Sequence, residues 1–306
     1  MELGSILVAL DGSHRSEASL RVVTVLAKAC DASVVLVHAV EHPVEVEDDE
    51  VQEEVRAKGA AVARLAQEYL EGVAAMLRAQ GLHVGAEVVT GRAPTAIIDL
   101  ARRSGASIIA LTSRGRGPVP GASLGSVATR VLTSSPVPVL VVKARRYGQF
   151  WTAPRTFRSI VVPLDGSALA EGALPWAEKL ATCLSVPITL ITLLPAPAVV
   201  PLGKESIVVW EAESPAQRRL EELASRYLAR VSSGLAERGI EAEWRVSLGP
   251  PGSGVLYWAA RCSPCLVVMT ARGRSGPARW LGSVVDEVVR RSRMPILVVP
   301  APSAPR

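Results

Sequence analysis

The chain has 306 residues, 49% of them hydrophobic and 21% charged, and its formal net charge is +5. This composition excludes a disordered chain, and the length allows two domains of about 100–150 residues each. No apolar run reaches the roughly 18 residues of a membrane-spanning helix, no basic signal-peptide region precedes the first apolar run, and no lysine-rich run is interleaved with aromatic residues. We therefore expect a cytoplasmic protein without a membrane or nucleic-acid partner.

In the first half of the chain, short β-branched runs alternate with longer amphipathic segments. This pattern predicts a parallel sheet covered by helices. The predicted strands are residues 5–10, 33–40, 83–89, 107–112 and 137–142. The predicted helices are residues 14–30, 50–80, 93–104 and 124–133. An acidic segment, residues 41–56, follows the second strand and is interpreted as either a lid or, more simply, a solvated loop.

The second half repeats this alternation after a linker at residues 146–157. Its predicted strands are residues 159–163, 187–193, 241–247, 265–270 and 295–299. Its predicted helices are residues 168–184, 212–238, 252–262 and 282–292. A proline-rich apolar segment, residues 195–210, follows the second strand, and we expect it to cover a pocket or the other domain.

Matching motifs show that the two halves are copies. ILVALDGS at residues 6–13 corresponds to IVVPLDGS at residues 160–167, and a glycine motif at residues 111–127 corresponds to one at residues 269–284. The separation is close to 155 residues throughout, which is the period of a whole domain rather than of a short-repeat solenoid. The sequence therefore predicts two α/β domains, residues 1–145 and 158–301, each a doubly wound sheet of five parallel strands.

Glycines stand between the fourth strand and the next helix in each half. Gly115 and Gly273 follow the strand, and Gly125 and Gly282 precede the helix. Glycine lets backbone N–H groups approach an anion closely, and a helix N-terminus adds N–H donors and a partial positive charge. Serines at 126 and 283 either cap the helix or donate a hydroxyl hydrogen bond. Two copies of this loop predict phosphate binding.

Asp11 and Asp165 end the first strand of each half. Because the carboxyl ends of parallel strands face the ligand crevice, both aspartates are expected beside the glycine loops. Two roles stay open for them. They cap the following helix, or they bind a ribose hydroxyl or a metal ion attached to phosphates.

With these motifs the chain resembles two universal stress protein domains fused in one polypeptide. The family signature G-x2-G-x9-G-[ST] is met at its later glycines, with Thr112 and Thr270 in place of the first glycine. The resemblance implies a Rossmann-like, adenine nucleotide alpha hydrolase-like sheet with strand order 3-2-1-4-5. It also implies binding of ATP or AMP together with Mg2+, without identifying metal ligands.

The resemblance assigns the nucleotide-binding residues by position. In the first half they are Ala9, Asp11, Ala39, Leu111, Thr112, Gly115, Gly125, Ser126 and Val127. In the second half they are Pro163, Asp165, Leu193, Met269, Thr270, Gly273, Gly282, Ser283 and Val284. Nine residues separate the glycines of the first loop but only eight those of the second, so we expect tighter triphosphate binding in the first half.

The sequence offers little sign of catalysis. Neither glycine loop is followed by a Walker A lysine, and the four histidines lack metal-ligand spacing. Cys262 and Cys265 have CxxC spacing, but they span a helix end and a strand start without a second pair for zinc, which argues against a redox or metal site. We expect a nucleotide-binding stress-response or sensor protein, not an enzyme. The alternatives are a slow ATPase and a nucleotide-free, partner-binding pseudo-dimer.

The last strand of each half is apolar and would be an exposed sheet edge. Such an edge invites pairing, so we expect residues 136–142 and 295–299 to meet in an intramolecular pseudo-dimer. A homodimer stays open as well, and the downstream protein partner is unknown.

Overall fold

The computed structural model describes residues 3–41, 49–115, 124–143, 156–195, 199–202, 205–208, 214–272 and 281–301. The chain forms two compact units. The first comprises Met1–Thr156 with Pro295–Pro300, and the second comprises Phe157–Met294 with Ala301–Arg306. In this part of the chain, no helix is long and apolar enough to cross a membrane.

The first unit contains a parallel sheet covered by helices. Its strands are β1 Ser5–Ala9, β2 Ser33–Val40, β3 Val84–Thr90, β4 Ile108–Thr112 and β5 Val139–Val142. Its helices are α1 Ala18–Cys30, α2 Asp49–Arg78, α3 Ala93–Arg103 and α4 Ser126–Ser134. The strands follow the order β3-β2-β1-β4-β5, which confirms the predicted order 3-2-1-4-5.

The central strands are buried on both faces. Ile6, Leu7 and Val8 of β1 are fully buried, and all five residues of β4 are buried. Strands covered by helices on both sides read as continuous apolar runs, which is why the sequence located them to within one or two residues. Parallel pairing brings the carboxyl ends of β1, β2 and β4 to one edge of the sheet.

The second unit repeats this architecture. Its strands β6 Ser159–Pro163, β7 Ile188–Leu194, β10 Ala242–Leu248 and β11 Cys265–Thr270 pair in parallel in the order β10-β7-β6-β11. Its helices are α5 Ala168–Glu171, α6 Leu174–Leu184, α7 Pro215–Ala236, α8 Pro251–Arg261 and α9 Ser283–Arg291.

Two features of the second unit differ from the prediction. The single helix expected at 168–184 is wrong, because α5 ends at Glu171 with Gly172 as its C-cap and α6 starts at Leu174 with Pro175 in its first turn. Proline lacks the N–H that a continuous helix would use there. The proline-rich segment also contains an antiparallel hairpin of β8 Val199–Leu202 and β9 Glu205–Val208.

The first unit also includes the last strand of the chain, β12 Ile296–Val299. β12 pairs antiparallel with β5, with Leu297 opposite Leu140, and every residue of both strands is buried. The predicted meeting of the two final strands is therefore confirmed. The domain boundaries at 145 and 158 and the pseudo-dimer stay predictions.

Candidate functional site

A cavity of about 400 Å3 lies in the first unit at the carboxyl ends of β1, β2 and β4. This volume falls within the roughly 300–1,000 Å3 of typical small-molecule sites. All nine residues predicted for the first half line it: Ala9, Asp11, Ala39, Leu111, Thr112, Gly115, Gly125, Ser126 and Val127. The structure thus brings together residues from four separate parts of the sequence.

The cavity also has walls that the sequence reasoning missed. They are Leu10, Ser16, Ala93, Ile97, Leu124 and Ala128. The most informative are Ala93 and Ile97, because they place the start of α3 beside β2. The glycine at 91 was the sequence signal for the turn that precedes α3. In the structure Gly91 has a φ of 131°, and its N–H donates to the Val40 carbonyl at 2.8 Å. That bond fixes the first turn of α3 at this edge of the sheet.

The walls of the cavity are of two chemical kinds. Ala9, Ala39, Ala93 and Ile97 give one set of walls small or apolar side chains. Gly115, Gly125 and Ser126, together with the charged Arg114, give the other walls backbone and polar groups. Such a site suits a ligand with a flat apolar part and an anionic part.

The glycine loop is closed by two hydrogen bonds at its described ends. The Gly125 N–H donates to the Ser113 carbonyl at 2.9 Å, and the Thr112 hydroxyl donates to the Arg114 carbonyl at 2.9 Å. Thr112 is buried, so its hydroxyl, rather than a water molecule, provides the hydrogen bond to the Arg114 carbonyl. This bond is a structural reason for threonine where the family signature has glycine.

Helix α4 begins at the cavity without a side-chain cap from the residues that the structure describes. Its N-cap is Gly125, with φ −66° and ψ 155°, and Ser126 is its first residue. The interpretation of Ser126 as the helix cap is therefore wrong. Because Ser126, Val127 and Ala128 all line the cavity, the first turn of α4 presents its N–H donors there.

Asp11 links the end of β1 to the glycine loop. Its Oδ1 accepts hydrogen bonds from the Ser13 N–H at 3.0 Å and the Ser13 hydroxyl at 2.5 Å. A Cβ placed on Gly115 would lie 3.0 Å from Cγ of Asp11 and still closer to Oδ2. Any side chain at 115 would therefore force the carboxylate or the loop to move. Asp11 does not cap α1, whose N-cap is Glu17.

The second unit holds counterparts of these features. The Ser167 N–H and hydroxyl donate to Oδ1 of Asp165 at 3.0 and 2.6 Å, and the Ser167 hydroxyl accepts from the Ala170 N–H and so caps α5. The Gly282 N–H donates to the Ala271 carbonyl at 2.9 Å, as Gly125 does to Ser113. The one-residue difference in loop length therefore does not alter how α9 begins.

The remaining predicted residues of the second half lie at the same edge of their sheet. Pro163 ends β6, Leu193 is near the end of β7, Met269 and Thr270 end β11, and Gly282, Ser283 and Val284 start α9. Asp165 is exposed, whereas Met269 and Thr270 are buried. Gly273 lies outside the described residues.

A half-buried tyrosine makes a hydrogen bond between helices near each aspartate. The Tyr69 hydroxyl donates to Glu17 at 3.0 Å, and the Tyr227 hydroxyl donates to Glu171 at 2.9 Å. Burial is the largest cause that raises the pKa of both phenols, and the neighbouring carboxylate adds to it. Each phenol therefore stays protonated and acts as a donor that holds α2 or α7 in place, not as a base.

Cys265 belongs to the core, whereas Cys262 is half-buried. Cys265 is fully buried, its thiol donates to the Ala259 carbonyl at 3.3 Å, and burial raises its pKa to about 12. Burial also raises the pKa of Cys262. Thiolate is the reactive form of cysteine, so a raised pKa lowers reactivity.

We expect Cys265 to resist alkylation by iodoacetamide at pH 8 in the folded protein, because almost none of it is thiolate. Cys262 should react more slowly than a free thiol. Mass spectrometry of labelled peptides checks this, with the guanidinium-unfolded chain as the control in which both cysteines react. Rapid labelling of Cys265 in the folded chain would revive the redox interpretation.

Known proteins resemble this chain across both halves. The model of the universal stress protein family matches residues 3–143 and again residues 156–300. A universal stress protein of Mycolicibacterium smegmatis is 28% identical over 309 residues, covering 96% of this chain and 96% of that protein. One from Methanocaldococcus jannaschii is 28% identical over 147 residues, covering 48% of this chain and 84% of that protein. The crystal structure of one from Archaeoglobus fulgidus has the same fold, with a TM-score of 0.67 and 21% identity over 98% of this chain and 97% of that chain.

Proposed function

The chain belongs to the universal stress protein family, and on that premise we propose that it binds ATP or AMP in the cavity of its first unit. It would act as a cytoplasmic stress-response or sensor protein with little or no turnover. The observation that carries this proposal is the convergence of all nine predicted first-half residues on one cavity of about 400 Å3.

The apolar walls suit an adenine ring. Ala39 and Ala93 carry only methyl groups, which leaves room for a flat base between β2 and α3, while Ile97 provides apolar contact. Burying the apolar faces of a base is favourable at about 25 cal/mol per Å2. These walls would therefore supply affinity without a charged contact.

The other walls suit the phosphates. The first turn of α4 offers N–H donors and a partial positive charge, and Arg114 adds a full positive charge. Gly115 lacks a side chain where the loop passes Asp11, so the loop backbone lies close to that carboxylate. The Asp11 carboxylate is suited to accept a hydrogen bond from a ribose hydroxyl.

Mg2+ would reach the site mainly through the phosphates. In the part of the chain that the structure describes, no group of three or more His, Cys, Asp or Glu side chains is placed to hold a metal ion. Mg2+ commonly keeps several waters and uses one or two carboxylates plus substrate phosphates. Asp11 is the only carboxylate among the described residues that line the cavity, and it fits that limited role.

The same set of cavity-lining side chains argues against efficient ATP hydrolysis. A general base must lie within hydrogen-bond reach of the attacking water, and Asp11 is the one cavity-lining candidate among the described residues. Its Oδ1 already accepts two hydrogen bonds from Ser13, so this oxygen is less available to an attacking water. A slow ATPase is the alternative, and a turnover assay with an Asp11→Ala control separates it from simple binding.

The second alternative is a partner-binding protein without nucleotide. It is favoured by exposed apolar side chains along α2, where Val62, Leu65 and Met76 are 50%, 63% and 51% exposed. Mass spectrometry of the ligand released from purified protein distinguishes the two. We expect an adenine nucleotide in near-stoichiometric amount, whereas ligand-free protein that also fails to bind added ATP would favour the alternative.

Ser126→Ala should weaken ATP binding only modestly. The variant removes one hydroxyl but keeps the backbone donors of α4, and one hydrogen bond contributes about 0.5–1.5 kcal/mol. Isothermal titration calorimetry measures the change. Complete loss of binding would show that the serine hydroxyl, rather than the helix N-terminus, carries the phosphate contact.

A further inference from the structure

Leu193 of β7 occupies the position that corresponds to Ala39 of β2. In the first unit the Ala39 methyl group leaves the cavity open. In the second unit the Leu193 side chain reaches α8 at Gly254. A Cβ placed on Gly254 would lie 2.8 Å from Cγ of Leu193 and still closer to Cδ1. Real Cβ atoms essentially never approach so closely, so a side chain at 254 would force Leu193 out of its observed position.

The two units differ at a strand position and at a helix position, and the size differences are opposite at the two positions. Gly254 stands where α3 carries Ala96, as the alignment of Gly91-Arg92-Ala93 with Gly249-Pro250-Pro251 shows. The turns that precede the two helices also match, since the Gly249 N–H donates to the Leu194 carbonyl at 2.9 Å. The first unit has alanine at both positions, Ala39 in the strand and Ala96 in the helix. The second unit has the larger Leu193 in the strand and the smaller Gly254 in the helix.

A second side chain enters from α9. A Cβ placed on Gly252 would lie 3.1 Å from Cβ of Glu287 and still closer to its carboxylate. Glu287 also pairs with Arg291 at 2.5 Å, so its direction along the helix is held. Pro94 and Arg130 occupy the corresponding positions of the first unit. The N-cap Pro250 offers no side-chain cap, and a carboxylate beside this helix N-terminus is electrostatically favourable.

We propose that the second unit's counterpart of the cavity is filled from within by Leu193. Leu193 takes the space where the adenine ring would lie between strand and helix, and Glu287 brings a negative charge between α8 and α9. The chain would then bind one adenine nucleotide, in its first unit. This inference rests on the proposed function, and it assigns Leu193 as the residue that determines occupancy.

The test is the binding stoichiometry of the full chain after removal of bound nucleotide. Equilibrium dialysis with labelled ATP is expected to give one ATP per chain. Two sites of similar affinity would overturn this inference while leaving the proposed function intact. No binding at any concentration would overturn the proposed function, and this inference with it.

Two variants test the role of Leu193 directly. Ala39→Leu combined with Ala96→Gly transfers the second unit's packing to the first and should weaken ATP binding at least tenfold, with an unchanged circular dichroism spectrum. Leu193→Ala should create a second site for adenosine, a probe without phosphate, whereas the exposed control Leu248→Ala should not. Wild-type affinity in the double variant, or no second adenosine site in Leu193→Ala, would overturn the assignment.

Discussion

Replacing Gly115 with valine is expected to abolish ATP binding, with a loss of affinity of at least about a hundredfold, or roughly 2.7 kcal/mol. The physical reason is twofold. A Cβ at this position would lie 3.0 Å from Cγ of Asp11 and closer to Oδ2, so the carboxylate or the loop must move. Two added methyl groups would also separate the loop backbone from an approaching phosphate. Isothermal titration calorimetry with ATP measures the loss.

The matched control is Gly85→Val. Gly85 is an exposed residue of β3 in the same unit, and a Cβ built on it meets no heavy atom within 4 Å. The same chemical change there should leave ATP affinity unchanged. If Gly115→Val binds ATP as the wild type does, the glycine loop is not the phosphate site.

Asp11→Ala is expected to reduce total ATP bound far more than Asp165→Ala. Both aspartates accept the same two hydrogen bonds from a serine two residues ahead, so the two substitutions remove equivalent local structure. Only Asp11 is among the residues that line the cavity, while Asp165 is exposed. A hydrogen bond to a charged group contributes about 1.5–3 kcal/mol, so Asp11→Ala should cost roughly ten- to 150-fold in affinity.

This pair of variants is its own control, because each tests the same change in a different unit. Dialysis at a fixed ATP concentration gives the amount bound per chain. Equal losses from the two substitutions would show that both units bind nucleotide, and that the shorter second loop is tolerated.

The sequence was sufficient for most of the fold because the sheet is buried on both faces. Runs such as residues 108–112 and 265–270 have no polar alternation, and glycine or aspartate follows soon after each. The family resemblance assigned the nine first-half site residues by position. Their meeting in one cavity is physically reasonable, since parallel strands carry their carboxyl ends to one edge.

What the sequence missed depends on contacts between elements distant in the chain. Leu193 and Ala39 are equally acceptable in a buried strand, and Gly254 by itself looks like a poor helix former. Only the packing of β7 against α8 shows that the large and the small residue belong together. Ile97 was missed for the same reason, because its apolar side chain fits a helix core as well as a cavity wall.

Photo-crosslinking with 8-azido-ATP tests the central claim most directly, because it reports both binding and location. The full chain is irradiated with the probe, digested and mapped by mass spectrometry. We predict labelling of first-unit peptides that contain Ala39 or the segment from Ala93 to Ile97, with loss of label when excess ATP is added. Labelling confined to second-unit peptides, or labelling that ATP does not reduce, would contradict the assignment of the first-unit cavity as the nucleotide site.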